Sequence, residues 1–221
     1  GLDADAVLPD WADLPALLEN LPDTDAPGLF DEAKEIAEKA HAEGKYVLIH
    51  HWSLMYERIW MFRGMQQLLL DYYDYPEEVH ALHRAVLDTE MKLLRRAARE
   101  VRPDGYMISD DLGSQTSLMM GPALFREFIK PYFAELWCLA RELDMDPWLH
   151  TCGNVESIIG DLIEYGYVRG VIDSGLDTMD INFDNFTWFH CKFHWSKEVV
   201  AGTSRCRPSW KTNIFINFMN F

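Results

Sequence analysis

Apolar positions along the chain fall into two rhythms that take turns. Short, nearly unbroken runs at 45–51 (KYVLIHH), 106–109 (YMIS), 147–151 (PWLHT) and, more briefly, 171–173 suit strands buried on both faces. Between them the apolar residues repeat at helical spacing. The stretch 30–43 places Phe30, Ala33, Ile36, Ala37 and Ala40 on one side and ends at Gly44, a helix-stopping position. A helix is predicted over 56–72, and a longer one over 76–101, which opens on Pro76-Glu77-Glu78 and lines up Val79, Leu82, Val86, Leu87, Met91, Leu94 and Ala98. Further helices are predicted over 122–143 and 155–165. Residues 1–29, rich in Asp and Pro, predict loop with one short helix around Leu14 to Leu18.

Strands of four to seven residues separated by helices of ten or more are repeated βαβ units, which force parallel pairing. The expected fold class is α/β, a (β/α)8 TIM barrel of which about half is present; a doubly wound sheet gives the same local pattern. Both architectures bind ligands at the carboxyl ends of the strands. Polar residues gather there: His50 and His51, then Asp110 and Asp111, then His150 and Cys152.

Composition changes at the end of the chain. Residues 181–221 hold seven of the twelve Phe and three of the eight Trp, with five Lys/Arg against two acids. The expected division is therefore an N-terminal loop and short helix at 1–29, a barrel domain at 30–174, and an anomalous tail at 175–221 that reads as an out-of-frame or foreign extension. The net charge of −16 argues against nucleic acid or an anionic membrane, because both require a Lys/Arg-rich face. A small-molecule substrate is expected. No run approaches the roughly 18–20 apolar residues of a membrane helix, and no signal peptide opens the chain, so a cytoplasmic protein is expected. The start at Gly1 suggests a fragment.

The sharpest local signal is Trp148-Leu149-His150-Thr151-Cys152-Gly153-Asn154. Residues two apart in a strand project to one side, so His150 and Cys152 can face one ion, and imidazole with thiolate suits zinc. The bland alternative is a hydrogen-bonded core histidine and a small buried thiol. Of Asp110 and Asp111, adjacent and therefore on opposite faces, one is expected to enter the mouth as a catalytic carboxylate, unless the pair merely caps a turn. His50 is a candidate proton carrier; His51, Gln115 and Asn154 are candidate substrate contacts, with Ser114 beside them as loop polarity. Glu57 and Arg58 read as a solvated helix start. Cys138, Cys191 and Cys206 show no framework spacing with Cys152. Nucleotide-binding and serine-hydrolase motifs are absent.

Five blocks together carry a resemblance: 56–65 (YERIWMFRGM), 75–79 (YPEEV), 108–115 (ISDDLGSQ), 122–131 (PALFREFIKP) and 150–155 (HTCGNV). In this order they resemble the uroporphyrinogen decarboxylase superfamily, most closely its zinc-dependent, corrinoid-linked methyltransferase branch. The resemblance implies a barrel with its site at the mouth, His150 and Cys152 as two zinc ligands, and a corrinoid (cobalamin-type) cofactor on a separate partner protein that donates a methyl group to a thiol or similar acceptor. It also implies a third cysteine from a late strand. Cys191 and Cys206 lie in the anomalous tail and neither is assigned that role. Two other readings stand beside it. One is a metal-free decarboxylase of the uroporphyrinogen type, in which arginines bind an acidic tetrapyrrole. The other is an inactive truncated fragment, prone to associate through unpaired sheet edges.

Overall fold

A computed structural model describes residues 6–164, 171–172 and 214–217. A 3-10 turn at Trp11–Asp13, where the Asp10 carboxylate accepts the Ala12 N–H at 2.9 Å, leads into α1 (Leu14–Glu19). Next come α2 (Asp31–Ala42) and β1 (Val47–His51). After them are α3 (Tyr56–Arg63), α4 (Met65–Asp74), α5 (Pro76–Glu100) and β2 (Gly105–Ser109). Finally α6 (Pro122–Phe128), α7 (Lys130–Glu142), β3 (Asp146–His150), α8 (Ile159–Glu164), β4 (Val171–Ile172) and β5 (Ile214–Asn217) complete the described chain. The class is α/β, with strands in the order β4-β3-β2-β1-β5 and every pairing parallel.

Two predicted helices are each broken in two. The 56–72 helix divides at Gly64, whose φ of +83° ends α3 and redirects the chain into α4; a side chain there would be strained, whereas glycine is not. The 122–143 helix divides at Ile129, because Pro131 has no N–H to continue the ladder and its ring would collide with the carbonyl four residues back. Of the aromatic tail, 214–217 alone are described. They pair with β1, Val47 opposite Ile214. Cys191 and Cys206 lie outside the described residues. No helix among those described is long and apolar enough to cross a membrane.

The strands are wrapped by the apolar stripes of the long helices. Leu82, Leu87 and Leu94 of α5 and Phe133, Leu136 and Trp137 of α7 are essentially fully buried. β1 and β2 are buried along their whole length, as their unbroken apolar runs require, while β3 alternates half-buried and buried. The N-terminal segment is fastened by Arg63, which donates through Nε to Asp71 Oδ2 at 2.6 Å and through Nη1 to the Leu8 carbonyl at 2.6 Å while lying over the Trp11 ring. Arg96 of α5 similarly donates to the carbonyls of Thr24 and Ala26.

Packed between α5 and α7, His83 stacks on Tyr132 with ring centroids 5.1 Å apart, and neither of its nitrogens has a partner. Burial, helped by neighbouring His80, pushes its pKa down to about 3. The folded protein therefore keeps His83 neutral while the unfolded chain takes up a proton below the ordinary value near 6.5. Stability contributed at this position is lost as pH falls from about 6.5 towards 3. Urea unfolding at pH 7.5 and pH 5 should show about 2 kcal/mol of acid-linked loss that His83→Leu removes. Equal losses in both proteins would contradict this account.

Candidate functional site

Strand alternation sends the two β1 histidines to opposite faces. His51 turns to the helix side, where its Nδ1 meets Glu90 of α5 and the Tyr106 hydroxyl donates to the other Glu90 oxygen at 2.6 Å. Burial raises the Glu90 pKa, but the His51 imidazole and the hydrogen bonds from His51 and Tyr106 outweigh it and hold the carboxyl below its usual range. His51, a candidate substrate contact, thus braces β1 against α5. His50 faces the interior, and its buried Nε2 has no partner among the described residues. Burial, then the neighbouring His150 and His51, lowers its pKa to about 4, so the ring is neutral near pH 7. Leaving such a buried atom unpaired costs about 1–3 kcal/mol.

The two aspartates after β2 also diverge. Asp110 is fully buried, and its carboxylate accepts the N–H groups of Met55 (3.0 Å), Tyr56 (2.8 Å) and Glu57 (2.8 Å). It caps the start of α3 from a distance of more than fifty residues along the chain. Burial pushes its pKa up to about 7 against those three donors, with Glu57 adding to the rise. Asp111 turns inward. Its Oδ1 accepts the Cys152 N–H at 2.8 Å and lies 3.8 Å from His150 Nε2. Cys152 Sγ is 3.6 Å from the same nitrogen.

One ligand atom each from Asp111, His150 and Cys152 therefore fall within 4.8 Å of one another, on three half-buried residues at the strand ends. Zinc bonds of about 2.0–2.3 Å in a tetrahedron separate neighbouring donors by roughly 3.3–3.8 Å, and His150 Nε2 lies 3.6 Å from Cys152 Sγ and 3.8 Å from Asp111 Oδ1. Imidazole, thiol and carboxylate are all zinc donors, so the set fits this ion.

The loops beyond β2 and β3 are zipped together. Asp110 N–H donates to the His150 carbonyl (2.9 Å), Gly113 N–H to Cys152 (3.1 Å) and Asn154 N–H to Ser114 (2.7 Å), and Thr151 Oγ1 accepts the Leu112 N–H at 3.0 Å. Gly113 and Gly153 lie back to back. A Cβ on Gly153, whose φ is +81°, would meet the Gly113 oxygen at 2.3 Å. The Asn154 side chain accepts the Glu156 N–H at 3.0 Å, ending the loop, and Gln115 is exposed at the tip of the β2 loop.

Two residues at the site carry weaker sequence signals than the structure warrants. Glu57, which reads as part of a solvated helix start, is only 8% exposed. Burial first, then Asp111, raises its pKa to about 7, and its Oε2 has no partner among the described residues. Its position inside the first turn of a helix that begins under a strand end is the available signal. Arg58, beside it, is half-buried and donates to the carbonyls of Ser53 and Trp52. Trp52, the residue directly after β1, is 47% exposed. It stacks on the His150 ring (centroids 6.1 Å, interplanar angle 23°) and meets His50 edge-on at 5.3 Å.

The family model described as Uroporphyrinogen decarboxylase (URO-D) matches residues 52–185, more than half of the chain. A comparison with curated proteins gives no match.

Removing the Asp110 carboxylate in Asp110→Ala leaves three buried N–H groups unpaired and should lower stability by roughly 2–4 kcal/mol in denaturant unfolding; a loss under about 0.5 kcal/mol would show that the cap is dispensable. Gly153→Ala should cost at least about 2 kcal/mol in the same assay through the clash with Gly113. A neutral Gly153→Ala would mean that the two loops can separate freely.

Proposed function

The chain belongs to the uroporphyrinogen decarboxylase family, and from that premise we propose that it works in the zinc-dependent manner of the family's methyltransferases, moving a methyl group from a methylcorrinoid partner protein to a thiol or similar acceptor. The family implies a (β/α)8 barrel, and the Asp111–His150–Cys152 cluster lies at the strand ends where barrels build their sites. The convergence of those three donor atoms is the observation that carries the reading. Asp111 takes the place that the resemblance reserves for a later cysteine.

Zinc bound there would supply Lewis acidity that keeps the acceptor sulfur as its thiolate, the nucleophilic form. The protein's own groups prepare the place. The Cys152 N–H fixes the Asp111 carboxylate, Trp52 holds the His150 ring by stacking, and Asp110 secures the helix beneath. A methylcorrinoid on the partner would supply the methyl group as an electrophile, and Asp111, His150 and Cys152 would hold the zinc that positions the acceptor sulfur; the sulfur would take the methyl with its own lone pair, the electron pair of the donor bond would remain with the corrinoid, and the thiol proton would pass to solvent.

The metal-free decarboxylase reading draws less support. It calls for arginines to hold an acidic substrate, whereas beside the site Arg58 already donates Nε and Nη2 to backbone carbonyls and has the Asp110 and Glu57 carboxyl groups near it. It also gives no use to an imidazole, a thiol and a carboxylate gathered at one point.

Elemental analysis of the intact protein should find zinc at about one per chain, and Cys152→Ser and Asp111→Asn should each weaken zinc binding at least about tenfold while the unfolding midpoints of the metal-free proteins stay nearly unchanged. Full catalytic activity of the metal-stripped protein would reject the zinc reading in favour of the decarboxylase.

A further inference from the structure

Two adjacent histidines in β1 are treated very differently. His51 is satisfied on the helix side by Glu90, whereas His50 is 7% exposed on the interior side and its Nε2 has no hydrogen-bond partner among the described residues. Buried polar atoms are as a rule paired, and this unpaired one lies on the interior side of β1, on the side of the candidate cluster. The His50 ring lies edge-on to Trp52 with centroids 5.3 Å apart, and Trp52 stacks in turn on the candidate ligand His150. Trp52 comes directly after His51, and His51 pairs with Ile108, the neighbour of Leu149; one step further on, the indole stands level with His150. It covers both histidines while nearly half of its own surface remains open.

We propose that His50 and Trp52 form the acceptor subsite beside the Asp111–His150–Cys152 cluster, and that the acceptor is a short thiol ending in an uncharged hydrogen-bonding group such as a hydroxyl. The proposal rests on the zinc reading for the position of the sulfur. The indole, which covers His50 in this structure, swings outward to admit the acceptor, whose carbon chain lies against it and whose polar end completes the open valence of His50 Nε2, so that binding supplies the hydrogen bond that folding left unmade. An anionic end is disfavoured by the surroundings. The Asp110, Asp111 and Glu57 carboxyl groups crowd this side of the strands, and the Arg58 guanidinium is directed at backbone carbonyls. A hydroxyl suits either tautomer of a neutral imidazole, because it both donates and accepts.

The test uses the intact protein loaded with Co2+, whose visible bands report metal binding and whose near-ultraviolet thiolate charge-transfer band reports thiol binding separately. Titration with 2-mercaptoethanol and with ethanethiol, which lacks the hydroxyl, isolates the polar contact. Wild type should bind 2-mercaptoethanol about five- to tenfold more tightly than ethanethiol. His50→Leu should abolish that preference and His50→Gln, which retains a hydrogen-bonding group, should restore part of it. Both His50 variants should leave Co2+ affinity unchanged, whereas Trp52→Ala, which also removes the stack on His150, should weaken both thiols about tenfold and by clearly more than it weakens Co2+ binding. Thiol affinities that match wild type in the variants would overturn the subsite while leaving the metal site standing. So would a loss of Co2+ binding in step with thiol binding, which would make His50 and Trp52 supports of the metal ligands. A wild-type protein that takes up no Co2+ would overturn the zinc reading and the subsite with it.

Discussion

The site depends on the parallel register of β2 against β3 being carried past the ends of both strands. Within the sheet Ser109 lies opposite His150, and the hydrogen bonds continue through Asp110, Leu112, Gly113 and Ser114 on one side and His150 to Asn154 on the other. That extension sets Asp111 beside Cys152, forty-one positions away, with the Cys152 N–H bonded to its carboxylate. A shift by one residue would turn Asp111 away and present Asp110 in its stead. The two glycines permit the extension, because a Cβ at either position would collide with the backbone of the facing loop.

Two neighbouring carboxylates consequently do different work. Asp110 joins β2 to α3 by accepting three backbone N–H groups, and so fixes the helix that carries Glu57. Asp111 contributes an oxygen to a cluster with imidazole and sulfur. Placing Glu57 and Asp110 close together in a buried setting raises both pKa values to about 7, which keeps the negative charge beneath the cluster below that of three ionised carboxylates at neutral pH. On the opposite face of the sheet, the Glu90 bridge between His51 and Tyr106 ties β1, α5 and β2 together and thereby holds the strand end from which His50 and Trp52 extend.

Much of the fold is legible in the residues themselves. The apolar runs locate β1, β2 and β3 to within two residues, and the helical stripes locate α2 and α5 nearly to their ends. The breaks at Gly64 and Ile129 escape that pattern, since apolar periodicity continues across both and only the backbone preferences of Gly64 and Pro131 interrupt it. Glu57 is hidden for a related reason. An acid in the first turn of a helix is usually solvated, and nothing local to 56–63 reveals that β2 delivers a second carboxylate beneath it. Trp52 is equally inconspicuous, because a single aromatic after a strand has no distinctive spacing.

By itself the sequence determined those features that the period of the local backbone dictates. Alternating strands and helices fix the α/β class, and a two-residue repeat places His150 and Cys152 on one side while parting His50 from His51 and Asp110 from Asp111. Which member of each pair faces the interior, and which distant residue meets it there, was decided only by the tertiary structure. Strand periodicity is a property of neighbouring residues, whereas the choice of face is set by pairing among segments forty or more residues apart, through hydrogen bonds that either chain segment alone leaves unspecified.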